Sequence, residues 1–278
     1  MDNAHTTKGN TMSDSWLGLE GKQVIVTGGA SGIGRHVVAG LCGAGARVAC
    51  FDLTVADGVD AETGARLYRV DITDPVAVEA AVARVCADLG GVTTLVNNAG
   101  VNLPRLLVDA RGEAPQYELD VTSFDFMMGV NVKGAFLMAQ AVARRLVQAG
   151  SGTIVNMTSE SGSEGSKGQS AYAASKAALN GFTLSWAKEL GPLGVRVVGV
   201  APGILEATGL RSEAYNQALA YTRDTTVDNL SPDYAKSIPL GRPGRLDEIA
   251  DLVCYLTSDR SSYVTGTTFT ISGGKSRG

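Results

Sequence analysis

Tyr172 and Lys176 stand four residues apart at the start of an apolar-periodic stretch, so a helix would place both side chains on one face. A phenol titrates near pH ~10, too high to serve as a base at neutral pH. A neighbouring ammonium favours the phenolate and lowers that value. A tyrosine tuned in this way can take the proton of an alcohol as hydride leaves the carbon, a contribution of about 10²–10⁴-fold. The same spacing also occurs on solvated helix faces, so the pair needs company. Ser159 lies thirteen residues before Tyr172, just past the end of an apolar strand. A hydroxyl there can hold a substrate oxygen beside the phenol, or it can close a turn or cap a helix.

A second cluster suits a phosphate-bearing ligand. Gly28, Gly32 and Gly34 follow the strand Gln23–Thr27 and open a helix that runs through Ala44. Glycines permit a tight turn and let the backbone approach a pyrophosphate, and the helix N-terminus offers free N–H groups. Ser31 and Ile33 complete this turn. Asp52 ends the next strand, Arg47–Asp52, eighteen residues after Gly34. A carboxylate there can accept both hydroxyls of an adenosine ribose and would repel a 2′-phosphate, which favours NAD over NADP.

The elements that must position these residues alternate along the chain. Strands are expected at Gln23–Thr27, Arg47–Asp52, Leu67–Val70, Thr94–Asn97, Thr153–Thr158, Val195–Val200 and Thr268–Ile271. Helices are expected over about Pro75–Leu89, Ser123–Ala149, Ala171–Leu190 and Leu246–Leu256. Such alternation implies parallel strands joined by helical crossovers: one α/β domain, a doubly wound Rossmann sheet of about seven strands with helices on both faces. The domain is expected over 17–278, after a flexible N-terminal tail at 1–16 in which Met12 is an alternative start. Gly203–Pro243 has weaker periodicity and reads as a substrate-loop insertion.

Composition narrows the function classes. With 24 Lys and Arg against 28 Asp and Glu, net charge −4 and no basic cluster, nucleic acid and anionic membrane surfaces are poor partners. No segment reads as a membrane span or a signal peptide. The four cysteines form no CxxC pair and there are only two histidines, so no metal site is expected. Apolar surroundings suggest reduced cysteines and a cytoplasmic setting.

Taken in order, Thr27-Gly28-x-x-x-Gly32-Ile33-Gly34, Asn97-Asn98-Ala99-Gly100, Asn131, Ser159, Tyr172-x-x-x-Lys176 and Pro202-Gly203 resemble the short-chain dehydrogenases/reductases over nearly the whole chain. The resemblance implies an oxidoreductase that interconverts an alcohol and a ketone with a nicotinamide cofactor. It makes Asn131 a fourth catalytic residue that holds a helix open for a water linked to Lys176. Lys176 would also bond the nicotinamide ribose. Asn98, Ala99 and Gly100 would flank the cofactor, Asp71 and Ile72 would lie near the adenine, and Pro202 and Gly203 near the nicotinamide. A threonine often stands four residues past that glycine; here the place holds Ala207, which leaves Thr208 for the contact. A homotetramer is implied, with the helices near 123–149 and 172–190 pairing across one interface.

The loops that read substrate are those after Gly100, between Ser159 and Tyr172, and after Gly203. They are similar to those of family members that oxidise sorbitol 6-phosphate to fructose 6-phosphate. Asn102, Glu160 and Gln169 suit sugar hydroxyls. Arg105 or Arg211 would grip a phosphate through the guanidinium fork. Lys167 is a further cation, and Lys275 and Arg277 would come from a neighbouring subunit. An unphosphorylated polyol, a 3-oxoacyl substrate and a non-catalytic NAD-binding scaffold are the alternatives.

Overall fold

A computed structural model describes residues 16–207, 212–230 and 237–275. Eight strands form one sheet: β1 (Gln23–Thr27), β2 (Arg47–Asp52), β3 (Gly58–Val59), β4 (Arg66–Arg69), β5 (Thr94–Asn97), β6 (Gly152–Met157), β7 (Val195–Pro202) and β8 (Thr267–Ile271). Their order is β3-β4-β2-β1-β5-β6-β7-β8. All pairings are parallel except β3–β4, which is antiparallel. The expected fold class holds, with one strand more than about seven. The extra strand, β3, has two exposed residues and no apolar pattern to announce it.

Alternation along the strands separates two cores. Ile25, Leu95, Ile154 and Val197 face one side, and Val24, Val26, Val96, Val155 and Val198 the other. The first side is covered by α2 (Pro75–Leu89) and α4 (Ala135–Ala149), together with α6 (Ser170–Leu190), whose Trp186 packs against it. The second is covered by α1 (Gly32–Gly43) and, near the C-terminus, α8 (Leu246–Thr257). Local chemistry sets the helix ends. Asp74 caps α2 by accepting from Val76 N and Ala77 N, Pro75 opens it, and Gly90 closes it at φ 79°. Gly40 lets α1 approach α8 closely, since a Cβ there would lie 3.3 Å from Cys254 Sγ.

The helix expected from Ser123 to Ala149 is not continuous. It comprises α3 (Val121–Met128), a π-helical turn over Gly129–Gly134, and α4. The combined run Val121–Ala149 is long and apolar enough to cross a membrane by length and composition, contrary to the sequence expectation. In this fold Met138, Ala139, Val142 and Leu146 on it belong to the core. Between these helices and α6 lies α5 (Ser161–Glu164). After β7 the chain leaves the sheet and returns at Gly244, whose N–H donates to Ile204 O at 3.0 Å. The excursion carries α7 (Glu213–Thr222). Trp16, the last residue of the expected tail, stacks on Tyr255.

Candidate active site

The strand order diverges on either side of β1, because β2 and β5 both pair with it. A crevice forms at such a switch point beyond the strand ends. Thr27 and Asn98 bind its two walls together. Thr27 Oγ1 accepts from Asn98 N and Ala99 N at 3.0 Å, and Asn98 Nδ2 donates to Thr27 O at 2.9 Å and Gly28 O at 3.0 Å. The glycines are sterically required. Gly28 has φ +63°, and a Cβ there would meet Ala99 Cα at 2.8 Å; one on Gly34 would meet Gly28 O at 2.0 Å.

These residues fit a dinucleotide. The first N–H groups of α1 have no helical partner, and Ser31 at its N-cap makes no side-chain bond to them. Asp52 closes the crevice at the end of β2, accepting from Ala30 N at 3.2 Å and Thr54 N at 2.9 Å. Asp71 is occupied locally: its carboxylate accepts from Thr73 N at 2.8 Å and Thr73 Oγ1 at 2.7 Å. Ile72 puts its side chain into the core against Gly134, where a Cβ would meet Ile72 Cδ1 at 2.7 Å. Gly203 donates to Ile271 O at 2.9 Å, and Pro202 O accepts from Glu160 N at 3.1 Å. Thr208, Arg211 and Arg277 lie outside the described residues.

Asn131, Ser159, Tyr172 and Lys176 converge beside this crevice. Asn131 sits in the π-helical turn and is fully buried. Its Oδ1 accepts from Val101 N at 2.8 Å, and its Nδ2 donates to Val101 O and to Ser175 Oγ, both at 2.9 Å. Ser175 Oγ donates in turn to Tyr172 O at 2.7 Å, so the widened turn is tied to the helix that carries the tyrosine. Gly100 leaves the space for this packing: a Cβ there would lie 3.3 Å from Asn131 Oδ1 and 3.4 Å from Lys176 Nζ.

The electrostatics depart from the sequence expectation. Burial pushes Tyr172 up to about 12, with Tyr215 acting in the same direction and a hydrogen bond with Ser159 acting downward. Lys176 Nζ donates to Met157 O at 2.8 Å and lies 5.7 Å from the tyrosine ring centroid, and it has lost its charge by the pH at which so raised a phenol titrates. Burial lowers Lys176 itself to about 8. Tyr172 therefore rests as the neutral phenol in the chain alone, and a positive charge brought into the site would favour its phenolate.

The expected substrate residues divide. Asn102 and Gln169 come together on the hydroxyl of Tyr215, which the sequence reading missed. Asn102 Nδ2 donates to it at 3.2 Å and Gln169 Nε2 at 3.1 Å. Tyr215 lies in the weakly periodic stretch after Gly203, where nothing in the pattern separates it from surface residues. Glu160 is already engaged: its Oε1 accepts from Lys275 Nζ at 2.6 Å. Lys275 thus reaches Glu160 of its own chain. Arg105 Nη1 donates to Pro104 O at 2.8 Å, and the guanidinium lies 5.9 Å from the Tyr117 ring centroid. Its Nε is buried with no partner among the described residues. Lys167 pairs with Asp224.

Comparison with known proteins places this geometry. A family model described as enoyl-(acyl carrier protein) reductase matches residues 28–276. Sorbitol-6-phosphate 2-dehydrogenase of Klebsiella pneumoniae is 52% identical over 266 residues, covering 95% of this chain and all of that protein. D-threitol dehydrogenase of Mycolicibacterium smegmatis is 36% identical, covering 92% of this chain and 93% of that one. The crystal structure of 3-ketoacyl-(acyl-carrier-protein) reductase from Brucella melitensis complexed with NADH superposes with a TM-score of 0.77 at 29% identity, covering 93% of this chain and 100% of that one.

Proposed function

The chain belongs to the short-chain dehydrogenases/reductases, a family of oxidoreductases, and from that premise we propose that it interconverts sorbitol 6-phosphate and fructose 6-phosphate with NAD. The observation that carries the reading is the amide groups of Asn102 and Gln169 gathered on Tyr215 beside Tyr172. That lining matches a chain of hydroxyls, whereas an acyl chain asks for apolar walls. The 52% identity to a sorbitol-6-phosphate 2-dehydrogenase supports the same substrate.

In the oxidative direction Ser159 holds the substrate hydroxyl against Tyr172, and Tyr172 takes its proton. Bound NAD⁺ would supply the hydride acceptor and a positive charge that favours the phenolate. Lys176 would bond the nicotinamide ribose, and Asn131, by keeping the π-helical turn open, would leave room for a water through which Lys176 passes the proton to solvent. One alcohol loses a hydride and a proton; the products are the ketone, NADH and H⁺. Gly28, Ser31, Gly32, Ile33 and Gly34 would hold the pyrophosphate, and Asp52 the adenosine ribose. NADP is disfavoured twice. Asp52 repels a 2′-phosphate, and the nearby Arg35 is held by Asp60 and Glu62, each at 2.5 Å. Arg105 or Arg211 grips the substrate phosphate.

The assembly is a homotetramer. Phe124, Phe126, Phe136 and Leu184 on α3, α4 and α6 are exposed in the single chain and give those helices an apolar face to pair. The deciding experiment is a panel of sorbitol 6-phosphate, free sorbitol and a 3-oxoacyl thioester, each with NAD(H) and NADP(H), followed by absorbance. Equal efficiency on sorbitol and its phosphate removes the phosphate grip. Equal use of NADP removes the role of Asp52, and preference for the thioester replaces the substrate.

A further inference from the structure

Tyr215, Asn102 and Gln169 come from three separate segments: α7, the loop after β5 and the turn before α6. Gln169 is the fixed member. It is buried, and its Oε1 accepts from Ser166 Oγ at 2.7 Å. The two amides donating to one phenolic oxygen pin it from two sides, and the pinned oxygen holds the Asn102 amide in one orientation. That orientation leaves Asn102 Oδ1 buried with no hydrogen-bond donor among the described residues. A buried carbonyl without a donor is costly, and a ligand hydroxyl that donates to it recovers the cost. Asn102 directly follows Val101, whose N–H and C=O both bond the Asn131 amide, and Gln169 stands three residues before Tyr172, so the orphaned acceptor lies beside the reacting centre.

We propose that Tyr215 is a positioning residue that sets substrate specificity: by holding Asn102 with its carbonyl oxygen unpaired, it creates a subsite for a substrate hydroxyl other than the one oxidised. The ligand class is a polyhydroxylated chain, and the inference rests on the polyol reading above. A substrate with no hydroxyl at that place leaves the acceptor unpaired, the kind of mismatch by which a buried polar group rejects an analogue.

The test uses Tyr215→Phe, which keeps the ring and removes the oxygen, with Asn102→Ala beside it. Both are assayed on sorbitol 6-phosphate and on deoxy analogues that each lack one non-reacting hydroxyl. For the unaltered enzyme, one analogue loses about ten-fold in kcat/KM, mostly through KM. Tyr215→Phe loses a similar factor on the parent substrate and nothing more on that one analogue. NADH binding stays unchanged. An equal loss on every analogue, or no loss, overturns the assignment while leaving the polyol reading intact. If the enzyme instead turns over a different hydroxylated substrate, the sorbitol 6-phosphate reading fails, and the same comparison on that substrate decides the role of Tyr215. Activity confined to substrates without extra hydroxyls overturns both.

Discussion

At the scale of single residues, the catalytic pair works against its surroundings. Burial holds Tyr172 near 12 and Lys176 near 8 in the protein alone, so each is displaced toward its neutral form. Tyr172→Phe should abolish turnover, a loss of at least about 10²-fold, with NADH affinity nearly unchanged in a fluorescence titration; retained turnover would remove the tyrosine from the mechanism. Lys176 makes a separate prediction about stability. Its folded pKa lies below the ordinary 10.5, so the unfolded chain binds more protons between about 8 and 10.5. Stability therefore rises with pH across that window, and the cost of the buried ammonium is fully present below about 8. Lys176→Met should melt higher than the parent at pH 7, with the difference shrinking toward pH 10. A difference independent of pH would show that the amine's charge is not what costs stability. The Tyr172–Lys176 spacing was legible in the sequence. The direction of the tyrosine's shift was not, because the burial that sets it comes from packing by other elements.

At the scale of elements, glycines set how closely the crevice walls approach. A Cβ on Gly34 would lie 2.0 Å from Gly28 O in the turn that would cradle a pyrophosphate, and 2.5 Å from Asn98 Nδ2 on the facing wall. Overpacking costs about 1–3 kcal/mol even where neighbours yield, so Gly34→Ala should weaken NADH binding about ten-fold or more. Unchanged NADH affinity would mean that the turn relaxes freely. Regular elements were easy to read because a buried parallel sheet demands continuous apolar runs. Irregular ones were not. The two exposed residues of β3 have no pattern, and the π-helical turn at Gly129–Gly134 looks like uninterrupted helix in a list of residues. α7 packs Ala218, Leu219 and Ala220 inward as consecutive buried positions, so its face has no clean helical stripe and Tyr215 stayed hidden in it.

For the whole molecule, the apolar run Val121–Ala149 has two faces with different fates. One is core, and the other leaves Phe124, Phe126 and Phe136 exposed beside Leu184 of α6. Leu184→Glu places charge on that face without touching the core. The expected result is a fall in mass by light scattering, from four chains to fewer, with secondary structure retained; an unchanged mass would place the interface elsewhere. Helix α6 also carries a built-in optical probe. Trp186 stacks on Phe182 at 4.5 Å, while the chain's other tryptophan, Trp16, stacks on Tyr255 of α8, which packs against the opposite core. Intrinsic emission thus has one reporter on the helix proposed to meet a neighbour and one on the far side of the sheet. Replacing Trp16 with Phe leaves a single fluorophore whose colour follows the packing around that helix, so dilution of the unlabelled enzyme would reveal when subunits joined through it part.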